Sequence, residues 1–260
     1  MTKKENLHIF PSLVCLLAPT TFLITFAVAV KLGHVSTILP YISDTGNHMP
    51  ESCIFSQFLN MTAFLLLICV YIRYLQIESL ATFKTPIGPR LSYNAISWYT
   101  GFLACLGMGI VANFQVENIY QVHYVGALLS FVGGSFYFSF QTIFSYHLSK
   151  LDNSRYLFYT RCALCVLSAC LCVLAIAYGI TSSAEYHGNN SSHWSWSDGG
   201  YVLHVVSSSS EWLLAFCQCA LVLTFMPEFK RISIYSPKFE IRGIHDVDLE
   251  RPEPQSGEIV

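Results

Sequence analysis

Six long runs of uncharged residues alternate with short polar segments: Phe10–Val30, Cys53–Ile72, Leu91–Val116, Asn118–Ser149, Cys162–Ala184 and Gly199–Pro227. One acid, Glu211, interrupts the last run. Each run meets the roughly 20 residues that a helix needs to cross a hydrocarbon core of about 30 Å. The pattern predicts an all-α polytopic membrane protein, a six-transmembrane-helix bundle. Residues 1–227 form the six-span transmembrane domain. Residues 228–260 read as a disordered tail, because Pro237, Pro252 and Pro254 stand among mixed charges with few large apolar residues.

Charge orients the spans. With both termini and the two even-numbered loops in the cytoplasm, thirteen of the fourteen basic residues share one side, and only Lys31 falls on the other. The loops around 31–52 and 185–198 and a very tight turn near Glu117 are then lumenal. The segments around 73–90 and 150–161 are cytoplasmic, the first broken by Pro86, Gly88 and Pro89 with Lys84 and Arg90 facing head groups. Lys3 and Lys4 before an apolar run have the form of a signal peptide. That run is about twenty residues, longer than the 7–15 of a signal core, so an uncleaved first span is expected.

Composition narrows the function. The 260 residues are 53% hydrophobic and only 12% charged, with a mean hydropathy of +0.47, outside the range of an ordinary soluble domain. A net charge of −2 and the absence of any zinc-finger or aromatic-basic pattern set nucleic-acid binding aside. Nine of the ten cysteines lie inside spans as small apolar residues, and Cys53 has no evident lumenal partner, so no disulfide is expected. Cys162 and Cys165 have C-x-x-C spacing, for which reversible palmitoylation is the special role to consider. Asn189 and Asn190 head two overlapping sequons, Asn189-Asn190-Ser191 and Asn190-Ser191-Ser192, on the lumenal side. Asn60-Met61-Thr62 matches the same pattern within a span and should stay unmodified. The terminal Glu258-Ile259-Val260 has the form of a PDZ ligand.

Small residues mark one helix pair. Gly101, Ala104, Gly107 and Gly109 in the third span face a fourth span carrying Gly126, Ser130, Gly133 and Gly134, a spacing that lets helix backbones approach closely.

Four polar side chains inside the spans are candidate functional groups: Glu211, His204, His123 and Asn113. His204 lies two helical turns before Glu211 on nearly the same face, in a stripe with Tyr201 and Ser208. One reading joins His123, His204, Glu211 and Asp44 as an acid-base or metal site, although no helical His-x-x-x-His pair or nucleophile accompanies them. A second has Glu211 bonding Asn60, Gln57, Asn113 or Gln141 on a neighbouring helix. A proton-coupled role stands between the two. No catalytic residue, metal or cofactor is assigned. Six of the nine histidines lie on or near the lumenal side, where acid would charge an imidazole that ordinarily titrates near about pH 6.5.

Specific residues then carry a resemblance. Leu39-Pro40-Tyr41-Ile42-Ser43-Asp44-Thr45-Gly46 and Pro50-Glu51-Ser52-Cys53-Ile54-Phe55 resemble the hallmark of the damage-regulated autophagy modulators, within the wider Frag1/DRAM/Sfk1 group. The likeness continues through Gly109–Gln115, Gln141–Tyr146, Gly200–His204 and Glu211-Trp212. It implies a six-span protein of lysosomal or other endomembranes that promotes autophagy and influences cell death, without a defined catalytic mechanism. The wider group also includes assistants of lipid kinases at the plasma membrane and a remodelling factor for GPI anchors. Tyr41, Asp44, Gly46 and Glu51 read as fixtures of the lumenal loop, with Asp44 bonding its own backbone and Gly46 taking positive φ. The expected role is a non-enzymatic regulator or scaffold in the lysosomal membrane, its partners the lipid bilayer and an unnamed membrane or cytosolic protein. The rival is a lipid- or proton-coupled transporter, or a lipid-modifying enzyme, using Glu211 and His204.

Overall fold

The computed structural model describes residues 3–82, 91–152 and 155–235. With no water in a bilayer core, each apolar run must satisfy its backbone internally, and all six form long helices. These are α1 (Ile9–Leu32), α2 (Glu51–Thr82), α3 (Leu91–Asn113), α4 (Tyr120–Asp152), α5 (Arg155–Glu185) and α6 (Tyr201–Leu223), followed by a short α7 (Met226–Phe229). All six have the length and apolarity to cross a membrane. Two-residue strands β1 (Lys3–Lys4) and β2 (Ile234–Tyr235) pair antiparallel, so these two segments meet at one end of the bundle.

Several boundaries differ from the hydropathy pattern. α2 continues past Ile72 to Thr82, and α4 and α5 nearly meet across 153–154, so the loops expected around 73–90 and 150–161 shrink. Residues 114–119 separate α3 from α4, a longer connection than a tight turn at Glu117. Residues 228–235 of the expected tail are packed: Phe229 is fully buried and β2 pairs with β1. The rest of that tail, and Lys84, Pro86, Gly88, Pro89 and Arg90, lie outside the described residues.

Around the bundle, sequential helices are neighbours and α6 returns to α1. The α3–α4 pair is packed to backbone contact. A Cβ on Gly107 would sit 2.6 Å from the Gly126 carbonyl oxygen and from Ser130 N, and one on Gly126 would meet Ile110 at 2.6 Å. No larger residue fits there without moving the helices apart, which is the close approach that small residues permit. α5 packs on α4 and α6 and contributes nothing to the central cavity, of about 90 Å³, which the other five spans line.

The end of the bundle that carries β1 and β2 is held by charge. Arg73 is fully buried and Arg161 is 1% exposed, on α2 and α5, inside helices rather than in loops. Both meet Glu228 of α7, Arg73 Nη1 at 2.9 Å from Oε2 and Arg161 through a short Nη2–Oε2 contact and a second bond from Nη1 to Oε1 at 3.2 Å. The two guanidinium carbons lie 5.0 and 5.1 Å from the centroid of buried Phe225, an aromatic face that favours cations. Gln141 accepts from Arg73 Nε at 3.0 Å, while Arg161 donates to Thr224 and Ser145. This network explains how α2 and α5 carry arginines beyond their apolar runs: each charge is paired and hydrogen-bonded rather than solvated.

Removing Glu228 would leave two buried guanidinium groups without their counter-charge. Glu228→Ala is expected to lower stability by about 3–5 kcal/mol, seen as a lower thermal unfolding midpoint of the purified chain in detergent. An unchanged midpoint would show that the pairing contributes nothing net.

Candidate functional site

At the opposite end, residues 33–50 do not merely connect α1 to α2. Gly33 ends α1 in the left-handed region (φ 74°), its N–H reaching the Ala29 and Val30 carbonyls. The chain then turns down into the bundle, and Ile42 becomes buried among α1, α2 and α6. Such a segment must find partners for its backbone polar groups inside the protein.

α6 supplies them. Trp212 Nε1 donates to the Pro40 carbonyl at 2.9 Å, Tyr41 Oη donates to Ser207 Oγ at 2.9 Å, and Ile42 N–H donates to Glu211 Oε2 at 2.9 Å. Three consecutive loop residues are thus gripped by Ser207, Glu211 and Trp212, all within a turn and a half of α6. Ser207 Oγ donates in turn to the Ala175 carbonyl of α5, and Thr45 Oγ1 donates to the Ile42 carbonyl at 2.7 Å. Glu211 stands ten residues into α6, about 15 Å from its first turn at 1.5 Å per residue, so the clamp is deep. Trp212 also packs edge-on against Phe22 and Phe26 of α1, fixing the indole that holds Pro40.

Glu211 therefore bonds a loop backbone amide and none of Asn60, Gln57, Asn113 or Gln141. Asn60 and Asn113 pair with each other, and Gln141 serves Arg73 and Ser97. His204 stacks on Trp194 at 4.2 Å and meets the Tyr41 ring edge-on at 5.0 Å. His123 Nδ1 lies 2.6 Å from the Phe114 carbonyl oxygen and helps line the central cavity with Glu211 and Gln218. Among the described residues no group of three or more His, Cys, Asp or Glu has metal-binding geometry, so His123, His204, Glu211 and Asp44 do not gather as metal ligands.

The turn Ser43–Gly46 is a 3-10 helix. Gly46 does not take positive φ, contrary to expectation. Its need for glycine is steric, since a Cβ there would lie 2.7 Å from the Phe55 ring. Burial pushes the Asp44 carboxyl up to about 7, a Tyr41 backbone hydrogen bond opposing and the Glu117 carboxylate adding to the rise. A carboxyl raised on folding contributes stability below its ordinary value near 3.8, and that contribution is lost as pH climbs through about 7.

Outside the clamp, the three loops at this end are cross-linked. His34 Nδ1 is 2.5 Å from Oε1 of fully buried Glu51, and His48 Nε2 is 3.4 Å from Glu117 Oε2. Ser192 donates to Glu117 Oε1 at 2.8 Å and accepts on its carbonyl from Ser36 N–H at 2.9 Å. In the sequon loop Asn189 and Asn190 are both exposed, but Asn190 Oδ1 caps the turn by accepting from Ser192 N–H, and Ser192 is buried. The sequence pattern flagged Glu211 and Tyr41 separately. Ser207 and the Trp212–Pro40 bond went unmarked, and only the adjacency of Trp212 to Glu211 pointed to them.

Because Gln presents the same carbonyl acceptor, Glu211→Gln is expected to keep the clamp, whereas Glu211→Leu strands the Ile42 amide at a cost of about 1–3 kcal/mol. Thermal unfolding of the purified variants at pH 5 and pH 7.5 measures both. Asp44→Asn, which carries no charge to desolvate, should raise the midpoint relative to wild type by more at pH 7.5 than at pH 5. Equal midpoints for the Leu and wild-type chains would remove Glu211 from the clamp.

Residues 6–232 match the family model described as the Frag1/DRAM/Sfk1/Cwh43P N-terminal domain. The human DNA damage-regulated autophagy modulator protein 2 is 33% identical over 238 residues, covering 89% of this chain and 87% of the relative. The mouse DNA damage-regulated autophagy modulator protein 1 is 37% identical over 227 residues, covering 86% and 91%. A zebrafish relative named modulator of macroautophagy TMEM150B is 28% identical over 221 residues, covering 84% of each chain. No solved structure matches. The matched stretch takes in every helix, the clamped loop and the arginine layer, and the chain belongs to the Frag1/DRAM/Sfk1 family of membrane proteins.

Proposed function

We propose that this chain is a non-enzymatic, multi-pass modulator of autophagy acting in the lysosomal membrane, with both termini in the cytoplasm. The observation that carries the reading is the alignment of relatives named as autophagy modulators along almost the whole helical bundle. Two physical arguments support it. The polar groups of the clamp are engaged in holding backbone: Glu211, Ser207 and Trp212 each bond the Pro40–Ile42 segment. The distribution of basic residues supports the orientation with cytoplasmic termini.

A tagged chain tested against lysosomal, Golgi and plasma-membrane markers, with autophagic flux measured alongside, examines the proposal. Lysosomal residence is expected, with flux reduced on depletion and restored equally by the wild-type and Glu211→Gln chains. Plasma-membrane residence with unchanged flux would overturn it. Loss of rescue by Glu211→Gln at normal abundance would favour a proton-coupled role instead. Orientation has its own readout in glycosylation, where Asn189→Gln is expected to abolish an endoglycosidase-sensitive mobility shift and Asn190→Gln to leave it. No shift in the wild-type chain would speak against a lumenal 185–198 loop.

A further inference from the structure

On the outer surface of the bundle, α2 and α3 flank a groove of about 410 Å³. Phe64 and Leu67 form one wall and Phe102, Leu106 and Ile110 the other, with Gly109 in its floor. Phe64 is 64% exposed and Leu106 48%, so in a membrane these walls face lipid. From Phe102 to Asn113 the groove follows α3 for about 16 Å at 1.5 Å per residue.

Asn113 closes the upper end of this groove, bonded to Asn60 of α2. Asn60 Nδ2 donates to Asn113 Oδ1 and Asn113 Nδ2 donates to Asn60 Oδ1, both at 3.0 Å, and Asn113 Nδ2 also donates to the Gly109 carbonyl at 2.7 Å. A side-chain amide carries two N–H donors and an oxygen with two lone pairs. The pair therefore retains one N–H on Asn60 and a lone pair on each oxygen, the complement that a hydroxyl requires. None of the residues lining the groove is charged, so a phosphate head group finds no counter-charge there.

We propose that this groove is a binding site for a sterol, whose hydroxyl bonds the Asn60–Asn113 amide pair while its flat ring system lies over Gly109 between Phe64 and Phe102. A rigid ring system surrenders less conformational freedom on binding than an acyl chain, and this favours it over the surrounding phospholipid. Asn113 sits at the last turn of α3, which brings the hydroxyl close to the membrane surface and the ring system below it. The site is separate from the Pro40–Ile42 clamp and does not depend on the autophagy reading.

The full chain in phosphatidylcholine nanodiscs, irradiated with a photoactivatable, alkyne-tagged cholesterol analogue and mapped by mass spectrometry, tests the site. Labelling is expected to concentrate on residues 63–67 and 102–114. Cholesterol should displace the label about fivefold more effectively than its 3-methyl ether, which cannot donate a hydrogen bond. In Gly109→Leu the added side chain enters the groove, where a Cβ meets nothing nearer than Asn60 Oδ1 at 3.7 Å, and labelling should fall severalfold at an unchanged unfolding midpoint. Should that variant misfold, the ether comparison on the wild-type chain decides alone. Labelling spread evenly over the outward faces of all six helices, or equal displacement by cholesterol and its ether, would overturn the proposal. A Gly109→Cys chain that forms disulfide-linked dimers in native membranes would overturn it too, assigning the groove to a second copy.

Discussion

A backbone amide or carbonyl carried into an apolar interior must be met by protein, and the pairing of Ile42 N–H with Glu211 meets that demand at the point where this chain leaves helical geometry. The surrounding contacts follow from it. Trp212 takes the Pro40 carbonyl because the segment has been drawn down to that level, and Phe22 and Phe26 then brace the indole. Ile42 fills the space between α1, α2 and α6, and Phe55 packs on Gly46 where any side chain would collide. An acid in a membrane helix usually suggests transport or catalysis. Here its geometry is that of a fastener, joining the first loop to the last span.

The two ends of the bundle solve opposite problems. One brings uncharged backbone inward and supplies acceptors and donors from α6. The other brings two guanidinium groups inward and supplies a carboxylate from α7 and an aromatic face from Phe225 just before it. Both solutions rest on the same C-terminal stretch, 207–228, so the sixth span and the residues after it organise helices that precede them by most of the chain. α5 lies outside the central cavity yet serves both ends, giving Arg161 to one and its Ala175 carbonyl to the other.

The fold was largely legible in the sequence because hydropathy is a local property, readable one window at a time. The six runs became six helices, and Gly107 and Gly126 meet at the interface that small-residue spacing had marked. Charge misled where pairing replaced water: Arg73 and Arg161 were assigned to loops because their partner, Glu228, lies more than sixty residues from either. Glu211 was singled out by its depth, but its partner is a backbone amide, which no residue type announces. Gly46 was read through turn chemistry, whereas its constraint is the Phe55 ring nine residues on. Distant pairings and backbone partners were the common source of these misses.

The pairing of β1 with β2 has a topological consequence. With Lys3–Lys4 bonded to Ile234–Tyr235, the polypeptide is nearly a closed circle, each span touching the next and the last touching the first. In a circle no link is privileged as the beginning. A chain joined across those strands and opened between α4 and α5 would keep every helix contact described above, making the order of the spans a property of the circle rather than of its termini.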